Sequence, residues 1–278
     1  LAAFATLLGT PPAGSSPAAA KNPPPDPPQE RTFSSEDSGA PLQVTCQVGE
    51  AACRELEKGY GYAVADEPSG VARELESEIQ RALPRGLSLL YGRIAVEPGP
   101  EHPAANWVPM YSEYSSEQEE TLAKWERARF CAWYEDHRGE LIERAEARFM
   151  ERAGFTRNRE LGWIPDYAHL VEVSTAELRG CIAAFNEQTK GKPEQLMRLF
   201  QAIPWQPIPD IEPATRRKTG GFLLPCRVLL DRRGDCDSNA AAFCMIQRRK
   251  RTRLAILRSD RPGLRHALVG VVAYSRES

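Results

Sequence analysis

A thiol and an imidazole in the C-terminal part of the chain have the residue types and the setting of a nucleophile and its base. Residues 234–240 read Gly-Asp-Cys-Asp-Ser-Asn-Ala, which places Cys236 where a turn becomes a helix. His266 stands at the head of an apolar, β-branched run typical of a strand. The positive end of a helix favours a thiolate, and a histidine accepts the thiol proton. Cys236 and His266 are therefore the candidate catalytic pair.

Asp235 is expected to cap the helix that carries the thiol. Asp is a preferred N-cap residue, so the helix should run from about Cys236 to Lys250. The helix start formed by Asp235 and Cys236 would then offer the backbone N–H of Cys236 as an oxyanion donor. The carboxylates of Asp235 and Asp237 oppose a thiolate, so we expect the thiolate to depend on its histidine.

The residues after this helix predict a hairpin that could set His266 over the helix start. Residues 253–257 and 266–274 have strand composition, and residues 259–263 have turn composition. The basic run at residues 247–253 falls at the predicted helix C-terminus, where cations meet the negative end of the dipole. We interpret that run as a solvated surface and not as a nucleic-acid site.

These motifs resemble the transglutaminase-like superfamily, in its bacterial cysteine peptidase or transamidase type. Members carry Gly-Asp-Cys-x-x-x-Ala at the nucleophile and His-Ala at the base, as residues 234–240 and 266–267 do here. The stretch 202–205 (Ala-Ile-Pro-Trp) and the lead-in at 225–230 are also similar, and the resemblance covers roughly residues 163–278. It implies an α+β, papain-like core, in which the nucleophile helix packs on an antiparallel sheet that bears the base and then an Asp or Asn.

The resemblance implies a cysteine enzyme that acts on peptide or glutamine amide bonds through an acyl-thioester. Cys236 matches the nucleophile and His266 the base, and the thioester is released to water or to an amine. The chain departs from the pattern at the third residue, because no Asp or Asn follows His266 and Glu277 is the one acid there. We expect either a chain cut before the orienting residue or a loss of that role. The alternative function is a catalytically inactive transglutaminase-like binding module.

Composition shifts predict three parts. Residues 1–40 are Pro- and Ala-rich and read as a disordered linker, whose apolar start is a candidate remnant of a signal or membrane segment. Residues 41–160 read as a mainly helical region, and residues 161–278 as the transglutaminase-like domain. We therefore expect an extracytoplasmic or membrane-associated protein with a candidate tether at its N-terminus.

Apolar spacing predicts the scaffold elements. The predicted helices cover residues 69–83, Ser115 or Ser116 to Gly154, and residues 193–202, and a further helix is capped by Ser174 with Glu177. A strand is predicted over residues 87–96 and a loop over residues 98–107. Gly139 is a candidate bend in the longest of these helices.

The net charge and the spacing of possible metal ligands limit the kinds of partner and cofactor that the sequence predicts. A formal net charge of −2 over 278 residues gives no strong field toward nucleic acid or anionic lipid. The histidines are far apart and no Cys/His spacing is typical of zinc, so the sequence implies no metal and no organic cofactor. The expected partner is a protein or peptide substrate, and the sequence carries no signal for oligomeric state.

The cysteine count is compatible with one reactive thiol. The chain has 7 cysteines, and an odd number leaves at least one outside any intramolecular pairing. The sequence leaves the pairing open, and Cys46 with Cys53 is one candidate pair if the chain is exported.

Overall fold

The computed structural model describes residues 27–36, 41–99, 102–247, 252–258 and 265–271, the last two ranges as backbone alone. The chain has an α+β fold in these ranges. The helices are α1 Glu50–Lys58, α2 Glu67–Ala82, α3 Glu117–Arg152, α4 Tyr167–Glu177, α5 Arg179–Gln188, α6 Pro193–Gln201, α7 Pro225–Asp231 and α8 Cys236–Gln247. The strands are β1 Gln29–Ser35, β2 Leu42–Val48, β3 Tyr62–Ala63, β4 Gly92–Glu97, β5 Ala104–Pro109, β6 Phe155–Asn158, β7 Gly162–Pro165, β8 Arg217–Lys218, β9 Thr252–Arg258 and β10 Arg265–Val271.

The strands pair into small antiparallel sheets of two strands each. Within the described ranges the pairs are β1–β2, β3–β8, β4–β5, β6–β7 and β9–β10. In the described ranges no helix is both long enough and apolar enough to cross a membrane.

The longest helix, α3, begins where the sequence predicts. Ser116 Oγ accepts a hydrogen bond from the backbone N–H of Glu119 at 3.2 Å, and the Glu119 carboxylate accepts one from the N–H of Ser115 at 3.0 Å. These bonds satisfy donors that an α-helix leaves open at its start. Gly139 does not interrupt the helix, which continues to Arg152.

A smaller hydrophobic cluster lies between α2, α3 and the β4–β5 hairpin. It is built from buried residues such as Leu75 and Ile79 of α2 and Leu141 and Ala145 of α3. The buried Glu78 carboxylate on α2 also forms ion pairs with arginines of α3. We call this the α2–α3 core.

The hairpin in this core corrects two of the sequence predictions. The strand begins at Gly92 and not at residue 87, and the last part of the predicted loop, residues 104–107, belongs to a second strand, β5. The cause lies outside the hairpin, on α3. The buried Glu126 carboxylate accepts hydrogen bonds from the N–H of Leu90 at 2.6 Å, from the N–H of Gly92 at 3.0 Å and from Trp107 Nε1 at 3.0 Å.

The larger hydrophobic cluster, which we call the site core, surrounds α8. It joins residues of β1, β2 and α1 to residues of α4–α8; Val44, Cys53, Phe185, Val228 and Met245 are among its most buried members. The larger hydrophobic cluster therefore extends across the predicted boundary at residues 160/161. Residues 42–63 belong to the same core as the C-terminal helices.

The predicted linker over residues 1–40 is also corrected in part. Gln29–Ser35 forms β1, which pairs along its length with β2, and Phe33 is 3% exposed. Arg31 Nε donates a hydrogen bond to the carbonyl oxygen of Leu230 on α7 at 2.6 Å. The edge of the site core is thus formed by a segment whose composition alone indicated disorder. Residues 1–26 lie outside the described ranges.

The helix predicted to begin at Ser174 begins earlier. Asp166 is the cap of α4, because its carboxylate accepts a hydrogen bond from the N–H of His169 at 3.0 Å. Ser174 lies inside α4 and is fully buried, and α5 follows α4 directly after Leu178. A buried serine in a helix interior has the same local sequence signature as a cap, which explains the error.

Candidate active site

Cys236 is the first residue of α8, and the predicted cap is confirmed. Asp235 Oδ1 accepts a hydrogen bond from the backbone N–H of Ser238 at 3.1 Å, and the Asp235 carbonyl oxygen accepts one from the N–H of Asn239 at 3.0 Å. The Cys236 side chain is half-buried. The thiol therefore lies at the positive end of a capped helix, as a nucleophile requires.

The Asn239 side chain leaves little room for a side chain at Gly234, just before the cap. A Cβ on Gly234 would lie 2.5 Å from Asn239 Oδ1. The Gly234 carbonyl oxygen accepts a hydrogen bond from the N–H of Gln206 at 3.0 Å, within a short parallel bridge between Trp205 and Gly234. The extended segment around Trp205 is thereby held beside the nucleophile turn, and the indole is 67% exposed.

The loop before α7 is hydrogen-bonded to the first turn of α8. Ser238 is fully buried, and its Oγ accepts a hydrogen bond from the N–H of Leu223 at 3.0 Å. The neighbouring Phe222 is 1% exposed and packs edge-on against the ring of Tyr167, with the centroids 5.0 Å apart. The first turn of α8 is therefore held by hydrogen bonds and ring packing.

The two carboxylates that flank the thiol are not equivalent. Burial, together with the hydrogen bond and the charge of the neighbouring Asp237 carboxylate, raises the pKa of Asp235 to about 7. Tyr167 donates its hydroxyl to Asp237 Oδ2 at 2.9 Å. Burial, followed by the charge of Asp237, raises the pKa of Tyr167 above its usual value. Below about pH 7 Asp235 therefore carries a proton, and the negative charge opposing a thiolate is smaller than the sequence indicates.

The predicted hairpin forms, and its strands lie against α8. Strand β10 pairs with β9 in a register that sets His266 opposite Leu257, and both strands contact α8. The structure thus brings the backbone carrying the candidate base to the helix that carries the candidate nucleophile. The His266 side chain, the turn predicted at 259–263 and Glu277 lie outside the described part of the chain, as does the core of the basic run at 248–251.

Tyr167 is a site residue that the sequence analysis missed. It lies 70 positions before Asp237, and no motif near it indicates chemistry. The one local signal is its place directly after the cap Asp166, which puts it at the first position of α4. Trp205 was noted as part of a motif, but its exposure beside the nucleophile turn appears only in the fold.

Comparisons of this chain with protein-family models, with curated proteins and with solved structures found no match. Among the described residues, no group of three or more Cys, His, Asp or Glu side chains is placed to hold a metal ion.

Proposed function

We propose that this chain is a transglutaminase-like cysteine enzyme that acts on peptide or glutamine amide bonds through an acyl-thioester. The observation that carries the proposal is the packing of α8, whose first residue is Cys236, against the hairpin whose strand β10 includes His266. A nucleophile and a general base on adjoining elements are the minimum that thiol-based acyl transfer needs.

The proposed reaction has two steps. The Cys236 sulfur attacks the amide carbonyl, His266 takes the thiol proton, and the tetrahedral intermediate collapses as His266 returns that proton to the leaving amine or ammonia. In the second step His266 takes a proton from water or an amine as it attacks the thioester carbonyl, the C–S bond breaks, and the proton returns to the Cys236 sulfur, giving hydrolysis or transamidation. The backbone N–H of Cys236 is the proposed oxyanion donor, since N–H groups in a first helical turn point toward the helix N-terminus.

The finer fold proposal is a papain-like core made by α8 and the β9–β10 hairpin. In that arrangement a helix bears the nucleophile and an antiparallel sheet bears the base. Three features support it: the capped start of α8, the antiparallel pairing of β9 with β10, and the contact of both strands with α8.

Trp205 is the proposed platform for the substrate chain. Its indole is 67% exposed although its backbone is bridged to Gly234, two residues before the nucleophile. A large apolar surface that stays exposed beside a reactive group is typical of a binding site. We propose that it packs against a side chain next to the amide that is cleaved or exchanged.

Thiol labelling across a pH series tests the catalytic pair. The protein is treated with iodoacetamide, and the alkylation of Cys236 is followed by mass spectrometry in the wild type and in His266→Ala. We expect His266→Ala to move the Cys236 profile to higher pH, because the thiolate would have lost its proton acceptor. The matched control is Cys131→Ser, which removes an exposed thiol on α3 and should leave that profile unchanged.

Turnover assays decide between the enzyme and its alternative. Ammonia release from a glutamine peptide and hydrolysis of a peptide pool should both fall to background in Cys236→Ala and be retained in Cys131→Ser. Activity that survives Cys236→Ala would refute the proposed nucleophile. If the protein binds peptide without turnover, and the pH dependence of Cys236 alkylation is unchanged in His266→Ala, the chain is instead the inactive binding module.

A further inference from the structure

Two pairs of buried cysteines join distant segments of the chain, and neither pair includes a residue of the candidate active site. In the first pair, Cys46 on β2 and Cys181 on α5 are 4% and 2% exposed. The hydrogen bond from the Cys46 side chain, with burial, raises the pKa of Cys181. Strand β2 packs on α5, and the rings of Phe33 on β1 and Phe185 on α5 lie 5.2 Å apart between centroids. The elements that present these two thiols are therefore held together by core packing.

The second pair joins α1 to α7. Cys53 and Cys226 are both fully buried, and a hydrogen bond with Cys53, together with burial, raises the pKa of Cys226. Arg227, the next residue, forms ion pairs with Glu50 at 2.8 Å and with Glu57 at 2.5 Å, both on α1. These ion pairs come from one turn before and one turn after Cys53, so they fix the register of α1 against α7 at the level of the two cysteines.

The remaining thiols have different surroundings. Cys131 is exposed on α3, and Cys236 is half-buried at the start of α8. Cys244 is buried on α8, and burial raises its pKa to about 11. All the cysteines are thiols in this structure. The candidate pair Cys46–Cys53 is not the one that the fold favours, because Cys46 interacts with Cys181 and Cys53 with Cys226, each on a later helix.

We propose that Cys46 with Cys181, and Cys53 with Cys226, are the sites of two structural disulfides that form as the chain folds in the presence of a disulfide oxidant. In each closure two thiols lose two protons and two electrons, and one S–S bond forms. The oxidant is a disulfide of the glutathione or thiol–disulfide oxidoreductase class, which is reduced to two thiols by exchange through a mixed disulfide. The predicted extracytoplasmic location is one in which such oxidants act. The inference is independent of whether Cys236 is a nucleophile.

The two bridges would fasten one segment to the site core. Residues 42–58 carry both Cys46 and Cys53, and the bridges tie them to α5 and α7. Helix α7 leads into the turn that presents Cys236, so release of this segment would loosen the support of that turn. Cross-links that close long loops restrict the unfolded chain most, which predicts a large gain in stability from bridges so distant in sequence.

Peptide mapping of the full chain tests the pairing. The protein is unfolded, refolded in a mixture of oxidised and reduced glutathione, alkylated under denaturing conditions and digested without reduction. Trypsin alone leaves Cys46 and Cys53 on one peptide, so a second cleavage after Glu50 by a glutamate-specific protease is needed. We expect Cys46 linked to Cys181 and Cys53 linked to Cys226. A link between Cys46 and Cys53, or alkylation of all four residues after oxidation, would overturn the proposal.

Variants and heat denaturation provide a second measurement. Cys181→Ser should leave Cys46 alkylated and the other bridge intact, whereas the control Cys131→Ser should retain both bridges. In the wild type we expect a reductant to lower the apparent Tm by about 5–15 °C, while Cys53→Ser with Cys46→Ser should have the same Tm with and without it. If the Tm of the oxidised wild type did not change when a reductant was added, the result would contradict the inference.

Discussion

The charge state of Asp235 is the property of the site that the structure predicts most sharply, and Asp235→Asn tests it. Asn keeps the acceptor that caps α8 through Ser238, since Asn and Asp cap equally well, but it removes the titrating group. In the folded protein the pKa of Asp235 is raised to about 7 by burial and by Asp237. In the unfolded chain an aspartate has a pKa of about 3.9.

The sign of the effect follows from where the proton is held. Between about pH 4 and pH 7 the folded state keeps a proton that the unfolded state releases, so the free energy of unfolding falls as pH rises through this window. A shift of about three units corresponds to about 4 kcal/mol at most. Because Asp235 is only half-buried and solvent screens it, we expect about 1–2 kcal/mol.

The measurement is the difference in unfolding free energy between Asp235→Asn and the wild type. Urea denaturation followed by tryptophan fluorescence at pH 4.5–8 should show this difference growing from near zero to about 1–2 kcal/mol in favour of the Asn variant. Asp235→Ala is the control for capping and should lose about 1 kcal/mol, relative to Asp235→Asn, at every pH. Asp237→Asn should flatten the wild-type pH dependence, because it removes the neighbouring charge. A difference between Asp and Asn that does not change with pH would refute the raised pKa of Asp235.

Three further substitutions probe the site and its scaffold by urea denaturation. Tyr167→Phe should cost about 1–2 kcal/mol through loss of the 2.9 Å hydrogen bond to Asp237, and an unchanged midpoint would contradict that bond. Glu126→Ala should cost about 3 kcal/mol by leaving several donors of the β4–β5 hairpin unsatisfied, whereas Glu126→Gln should cost less, and equal losses would argue against this reason. Gly234→Ala should lower both stability, by about 1–2 kcal/mol, and Cys236 alkylation, because its Cβ would meet Asn239. Asn239→Ala should relieve that defect, and failure of this rescue would indicate another cause.

Local sequence determined the parts of the site whose interactions are short in range. Asp235 caps α8 because a carboxylate placed three residues before an N–H can bond to it without help from the rest of the fold. The same holds for Ser116 at α3, and β-branched residues produced the β9–β10 hairpin in the expected place. The role of Cys236 and His266 as a catalytic pair stays a prediction.

Tertiary structure alone decided the features that depend on distant segments. The raised pKa of Asp235 depends mainly on burial. The hydrogen-bond partner of Asp237 is Tyr167, which no local pattern links to the site. Cys46 and Cys53 are close in sequence, yet each meets a thiol of a helix more than a hundred residues later along the chain, because α5 and α7 complete the core around β2 and α1. Residues 29–35 became a strand for the same reason: their one apolar side chain, Phe33, suffices once β2 and the site core are present to bury it.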